Sequence, residues 1–337
     1  MLIKGEEVNA INRESEPRAE IDLSIIIVSF NSIAVLIPCL NSIYECRPCL
    51  SFEIILVDNG SKDNTVEEVR ARFEEVEIIE LGANLGFAGA NNIGFRHANG
   101  KYVLFLNPDT IMRRNVLEKL IVRAESDPDV AAVGPAIHGV DGKRQESAFR
   151  APSIGNSLAT ALWLYRIPGY VRMFGFPNHY LEDDYNHEME VDAVSGCCLL
   201  GRKAVLNEVG TFDDRYFLYF EEADLCERIR RSGKKIVYTP SAAILHLGGT
   251  ATIKHEIWSR IQYEQSQISF FAKNRGQVST MVIRIIQVLQ SILRITVGLV
   301  IFCASGGHAK RIAKTVSYAY KLLLWELRLS THWTRPS

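Results

Sequence analysis

Tyr102-Val103-Leu104-Phe105-Leu106-Asn107-Pro108-Asp109 is five apolar residues in a row, stopped by a polar turn that ends in an acid. A continuous apolar run of this length, with β-branched and aromatic members, is expected of a strand buried on both faces. The same design occurs twice upstream. Leu23-Ser24-Ile25-Ile26-Ile27-Val28 runs into Ser29-Phe30-Asn31, and Glu53-Ile54-Ile55-Leu56-Val57 stops at Asp58-Asn59-Gly60-Ser61. Between these runs the spacing predicts helices over 33–44, 64–73 and 88–98, and a further strand over 76–80. Strand and helix in alternation imply a parallel, doubly wound sheet. In such sheets ligands bind outside the carboxyl ends of the strands, where Asp58 and Asp109 stand.

Beyond residue 131 the pattern loosens. Val140-Asp141-Gly142-Lys143 has the composition of a hairpin turn. The stretch 152–190 mixes Pro, Gly and aromatics without period and reads as loops. Apolar strand character returns over 191–201. A last strand is expected over 235–238, followed by a turn at Pro240-Ser241 and then Ile244-Leu245-His246-Leu247.

Four groups of residues could carry chemistry. Asn107-Pro108-Asp109 at a strand end offers oxygens that can hold Mg2+ or Mn2+ together with substrate phosphate, or it is a plain turn. Asn84-Leu85-Gly86-Phe87-Ala88-Gly89-Ala90-Asn91-Asn92 is a glycine-containing entry into a helix, suited either to an anionic ligand or to strand-to-helix packing. Glu221-Glu222-Ala223-Asp224 opens a helix whose buried face is set by Leu225, Cys226 and Ile229. Helix N-termini favour ionised carboxylates, so these acids either cap the helix or include a general base. His246 matters only if the fold brings it to Asp109.

The 337 residues carry a formal net charge of -1. From Val278 onward there are 8 basic residues and 1 acid, which leaves the preceding part with 30 basic and 38 acidic residues. An acidic body without an aromatic-interleaved basic patch argues against nucleic-acid binding. Met281 to Phe302 is strongly apolar, with Arg284, Gln287, Ser291, Arg294 and Gly298 recurring every three or four residues as a narrow polar stripe. Two arginines at such depth disfavour a spanning helix, and an amphipathic helix lying in a membrane interface is expected, the other reading being a helix packed on the protein's own core. The basic residues that follow suit an anionic leaflet. Residues 1–20 are polar without an apolar core, so no secretory signal is expected there. The seven cysteines, an odd number, fit reduced thiols in a cytosolic protein, and the Cys46-Arg47-Pro48-Cys49 spacing has no second pair and is read as chance.

Taken in order, these motifs resemble glycosyltransferase family 2, especially its bacterial rhamnosyltransferase-like members. The match runs from Ile25–Asn31 through Val57–Ser61, Asn84–Ala88, Phe105–Asp109, Ser195-Gly196 and Phe220–Leu225 to His246. The resemblance implies a GT-A fold, α/β with a mostly parallel sheet. The expected layout is an extension over 1–21 and a transferase domain over 22–275, with a nucleotide-binding half at 22–135 and an acceptor-binding half at 136–275. A basic, membrane-associating helical tail follows over 276–337. It implies nucleotide-sugar contacts from Ser29, Asn31, Asp58, Asn59, Asn84, Gly86, Asn91 and Asn107. It implies a Mg2+ or Mn2+ ion at Asp109, with His246 in reach, and a base at Glu222 with Glu221 and Asp224 beside it. Asn107 stands where the family motif often has Asp, and Glu222 where Asp is commoner. The implied reaction is an inverting transfer of a sugar, best read as rhamnose from dTDP-rhamnose, to a lipid-linked or cell-surface saccharide acceptor at the inner face of the cytoplasmic membrane. A UDP-hexose donor is the alternative within the family. A nucleotidyltransferase or an inactive membrane-associated scaffold are alternatives outside it.

Overall fold

A computed structural model describes residues 21–46, 49–175, 178–248, 256–305 and 310–328. The expected extension lies outside these residues except for Ile21. So do 47–48 of the Cys-x-x-Cys spacing and Arg335. The chain starts with β1 (Leu23–Ser29), α1 (Ile33–Cys46), β2 (Phe52–Asp58), α2 (Thr65–Arg72), β3 (Val76–Glu80), α3 (Gly86–His97) and β4 (Tyr102–Leu106). These strands pair in parallel in the order β3-β2-β1-β4. The chain steps from β1 outward to β3, then returns to the other side of β1. That reversal makes the crevice at the strand ends, between the residues after β2 and those after β4, the natural place for a ligand.

Alternation of side chains sends Ile25, Ile27, Leu104 and Leu106 into the apolar cluster on one face and Ile26, Val103 and Phe105 into the cluster on the other. Both faces are covered, which is why these strands read as unbroken apolar runs.

The second half adds β5 (Thr110–Ile111), α4 (Val116–Glu125), β6 (Val130–His138), β7 (Arg144–Gln145), β8 (Ala148–Phe149), α5 (Ile154–Ala161), α6 (Tyr170–Phe174), β9 (Met189–Glu190), β10 (Ala193–Val194), β11 (Cys198–Arg202), α7 (Lys203–Val209), α8 (Glu221–Arg231) and β12 (Lys235–His246). The sheet continues as β4-β11-β6-β12-β5, with β11 antiparallel to both neighbours, β12 parallel to β6 and β5 antiparallel at the edge. The hairpin expected at Val140–Lys143 joins β6 to β7. The strand expected over 191–201 is instead two pieces, β10 and β11, broken at Ser195-Gly196. The turn expected at Pro240-Ser241 is a bulge inside one continuous strand, where the register against β6 shifts between Thr239 and Ala243. Proline has no N–H for the ladder, and a bulge absorbs that defect without ending the strand. Part of the stretch read as loops is helical, in α5 and α6.

Three helices follow: α9 (Glu256–Asn274), α10 (Gly276–Ala304) and α11 (Lys310–Glu326). Phe270 and Phe271 of α9 and Ile283 and Ile286 of α10 form a third apolar cluster with Tyr216 and Phe220, just ahead of α8. Thus α9 and α10 are packed on the body. Apart from Arg284, which is exposed, the polar stripe of α10 faces inward. Gln287 and Ser291 are buried. Gln287 donates to Gln267 Oε1 (2.8 Å), Gln290 Oε1 accepts from Arg260 (3.0 Å), and Ser291 donates to Glu326 (2.9 Å). The face left outside is apolar: Val278, Met281, Ile285, Leu289, Ile292 and Val300 are all exposed, Met281 at 65% and Leu289 at 52%. The sequence spacing gives the two faces of this helix correctly but not which one meets the protein.

Candidate active site

Asp58 ends β2, and its Oδ2 accepts from the backbone N–H groups of Gly60 (3.2 Å) and Ser61 (3.0 Å). Its other oxygen is buried with no hydrogen-bond partner. A buried carboxylate oxygen left open costs stability, and its place at the crevice marks it as a candidate ligand contact. Nearby, Asn31 Oδ1 accepts from Lys62 N (2.7 Å), and Ser29 and Ser32 share a hydrogen bond (2.7 Å). The Asn31 bond, with Asn31 N donating to Ser61 (2.9 Å), holds the loop after β1 against the loop after β2.

The glycine-containing loop is fastened from within. Asn59 donates to Asn84 Oδ1 (3.1 Å) and to Gly86 O (3.1 Å), and accepts from Leu85 N (2.7 Å). Gly86 takes a φ of +80°, and a methyl there would stand 2.5 Å from Phe217 O. Its close approach is therefore to the chain's own backbone rather than to an anion. Asn91, expected at the nucleotide-sugar, is buried and donates to Phe87 O one turn back (3.0 Å). Asn92 is pinned to Phe212 O (2.8 Å) and Asp214 (2.6 Å). Both amides are turned into the protein, because the first turns of α3 pack under the 212–217 segment.

Asp109 lies just past β4 and is 9% exposed. Its backbone carbonyl accepts from Leu247 N (2.9 Å), and β5 pairs Thr110 with His246. This short ladder carries the His246 ring to Asp109, with Nε2 3.3 Å from Oδ1. Two strand ends that are 137 positions apart in number thus present one carboxylate and one imidazole to the same point. Among the described residues no three His, Cys, Asp or Glu side chains gather as a closed metal cage. The donor set fits a hard divalent cation that draws its other ligands from phosphate and water. Asn107 is only partly buried, and its backbone N–H donates to Cys197 O (2.9 Å).

That bond leads to the acidic pair. Gly196 precedes Cys197, and a methyl on it would stand 3.6 Å from Glu222 Cβ and 3.7 Å from the Phe87 ring. One short loop therefore touches the Asp109 strand end, the α3 entry and the start of α8. Tyr219 and Phe220 enter α8 with φ of +69° and +68°. Consecutive non-glycine residues in the left-handed region are costly, and they persist where packing over-determines them. Here Phe220 is wedged between Tyr263 and Phe270 of α9, with ring centroids 5.1 and 5.7 Å away. Trp258 of α9 likewise backs Phe217 at 5.6 Å. The mixed polar and aromatic run of α9 has no clean helical stripe to mark it in the sequence, yet it braces the segment that presents the acids.

At Glu221 and Glu222 burial works against the helix N-terminus, which favours the ionised form. Burial raises Glu221 well above its ordinary value, and the Glu222 charge adds to this. Burial also raises Glu222, against the N–H groups that oppose the shift. Each has an Oε2 enclosed without a hydrogen-bond partner. Desolvation outweighs the helix dipole because dipole interactions are worth only about 0.3–2 kcal/mol. Glu221 is 5% exposed, whereas Glu222 is half-buried. Asp224 is turned the other way. It is fully buried and held by Lys273 (2.7 Å), Arg228 (2.9 Å) and Asn274 (2.9 Å). It fastens α8 to α9 rather than standing beside the two glutamates.

A stability test follows from Glu221. Below the ordinary carboxylate range, folded and unfolded chains both carry its proton. Above that range the unfolded chain ionises more readily, so stability declines as pH rises toward the raised folded value. Glu221→Gln is expected to raise Tm by a few degrees at pH 8 and to leave it unchanged at pH 4. A lower Tm at pH 8 would show that the charged form is the stabilised one.

Residues 24–210 match the family model described as "Glycosyl transferase family 2". An N-acetylglucosaminyl-diphospho-decaprenol L-rhamnosyltransferase of Mycobacterium tuberculosis is 32% identical over 204 residues, covering 57% of this chain and 66% of the relative. The matched span is thus just short of two thirds of that relative. Rhamnosyltransferase WbbL of Escherichia coli is 26% identical over 212 residues, covering 58% and 72%. Among solved structures, a mannosyltransferase of Pyrobaculum calidifontis in complex with GDP-Man and Mn2+ superposes with a TM-score of 0.58 at 15% identity, covering 94% of this chain and 90% of that one. At that identity the likeness establishes the fold, which is GT-A-like. The family match takes in more than half of the residues, including both strand-end carboxylates, and so the chain belongs to glycosyl transferase family 2.

Proposed function

We propose that the protein transfers a sugar from a nucleotide-sugar to an acceptor hydroxyl with inversion at the anomeric carbon. The observation that supports this reading is the Ser195–Cys197 loop, which bonds to Asn107 two residues before Asp109 and passes close to Glu222. Asp58 receives the base of the nucleotide through its open Oδ1, with Asn31, Asn59, Asn84 and Asn107 framing the pocket. Asp109 and His246 hold a Mg2+ or Mn2+ ion, which when bound offsets the charge on the diphosphate. Glu222 takes the proton of the acceptor hydroxyl. That oxygen bonds to the anomeric carbon as the bond to the diphosphate breaks on the opposite face. A raised carboxyl suits this role, since a general base works best when poised near the operating pH. Glu221 stands next to Glu222 at the start of α8 and is the more deeply buried of the two.

The donor we favour is dTDP-rhamnose, on the strength of the two rhamnosyltransferase relatives; UDP-hexose is the second choice. The mycobacterial relative's name specifies a diphospho-decaprenol acceptor, and we carry over its class, a lipid-linked saccharide. The outward apolar face of α10 supports placement on the inner face of the cytoplasmic membrane, with residues 276–337 as the associating tail and 22–275 as the transferase unit. The helix is also long and apolar enough to cross a membrane. A thermal-shift screen with dTDP, UDP and GDP sugars in Mn2+ tests the proposal. We expect dTDP-rhamnose to stabilise most, by about 2.7 kcal/mol at a hundredfold excess over Kd. No stabilisation by any nucleotide-sugar would reject the transferase reading.

A further inference from the structure

We infer that Gln145 is a positioning residue that fixes the His246 tautomer, so that Nε2 is left as a lone pair aimed at Asp109. This rests on the reading of Asp109 and His246 as cation ligands and adds to it a residue from a different part of the sheet.

Gln145 lies on β7, beside Ile137 of β6, while β12 runs along the other side of β6 with Leu245 next to His138. From there its side chain reaches across the end of β6 to His246 and touches that residue twice. Gln145 Nε2 donates to the His246 backbone carbonyl (3.4 Å), and Gln145 Oε1 lies 2.8 Å from His246 Nδ1. The two contacts determine one another. A carbonyl only accepts, so the amide nitrogen must face it and the amide oxygen must face the ring. An amide oxygen also only accepts, so Nδ1 must carry the proton. In the neutral ring this leaves Nε2 as the acceptor.

Nε2 then points at Asp109 Oδ1, 3.3 Å away. A lone pair and a carboxylate facing each other repel unless a positive charge stands between them. The arrangement is therefore built to take a cation from both sides. Without the amide, the ring is free to protonate Nε2 and donate to Asp109, which satisfies the pair and closes the site. Partners that orient a ligating histidine in this way typically contribute 10–100-fold to metal affinity.

The probe is Mn2+ alone, titrated without nucleotide and followed by the paramagnetic resonance signal of free Mn2+. Gln145→Leu, which keeps the bulk and removes both contacts, is expected to weaken Mn2+ binding by about 10–100-fold. Gln145→Glu, which keeps an acceptor opposite Nδ1, is expected to bind close to the wild type. Equal affinity for the wild type and Gln145→Leu would overturn the role of Gln145 and leave the cation site standing. A wild type that binds no Mn2+ would overturn both. If Gln145→Leu does not fold, nitrogen-15 spectra of the wild-type His246 ring in Mg2+ decide the matter. The Nδ1–H form supports the inference, and a neutral Nε2–H ring overturns it.

Discussion

Glu222→Gln is expected to bind nucleotide-sugar as the wild type does and to lose transfer by about 10²-fold or more, the scale of a general base. The amide fills the same space, so the close approach of Gly196 to the start of α8 is kept. What disappears is a site for the acceptor's proton. The companion variant Glu221→Gln separates the two acids. Glu221 is more enclosed than Glu222, and its replacement should slow transfer less while leaving the pH profile in place, because burial is what raises Glu222. Single-turnover measurements with saturating donor check both. Near-normal transfer by Glu222→Gln together with a large loss in Glu221→Gln would move the base one residue back.

Asp109→Asn should remove the dependence of donor binding on Mn2+. We expect nucleoside-diphosphate affinity in Mn2+ to fall by about 10²-fold, corresponding to the several kcal/mol a divalent cation supplies against a diphosphate. Asparagine keeps the size of the side chain, and the backbone bond from Leu247 N to the residue 109 carbonyl is untouched, so the fold should survive. Calorimetric titration with and without Mn2+ reads the effect. Unchanged affinity and unchanged metal dependence would remove Asp109 from the site.

Much of this was legible in the residues, for physical reasons that also explain the failures. The inner strands are covered on both faces, so they print as unbroken apolar runs, and the acids at their ends were found by position. Local signals failed where partners are distant in sequence. Nothing near Asn92 says that its amide is spent on Phe212 and Asp214. Nothing near Asp224 announces Lys273 and Asn274, nearly fifty positions on. Pro240 marks a local defect in hydrogen bonding, and only the partner strand decides whether that defect is a turn or a bulge. Gln145 carried no motif at all; its meaning comes from strand pairing that sets it across from His246.

The orientation of α10 has a practical side. Gln287 and Ser291 are consumed in its contacts with α9 and α11, and one row of oily side chains, from Val278 to Val300, faces out. Such a surface has poor solubility in plain buffer, and concentrating the protein without an amphiphile favours clumping through that patch. Detergent micelles or nanodiscs are the natural handling medium. A crystallisable variant is better sought by placing lysines at Met281, Ile285 and Leu289 than by trimming the helix, because trimming would also uncover Phe270 and Phe271 beneath it.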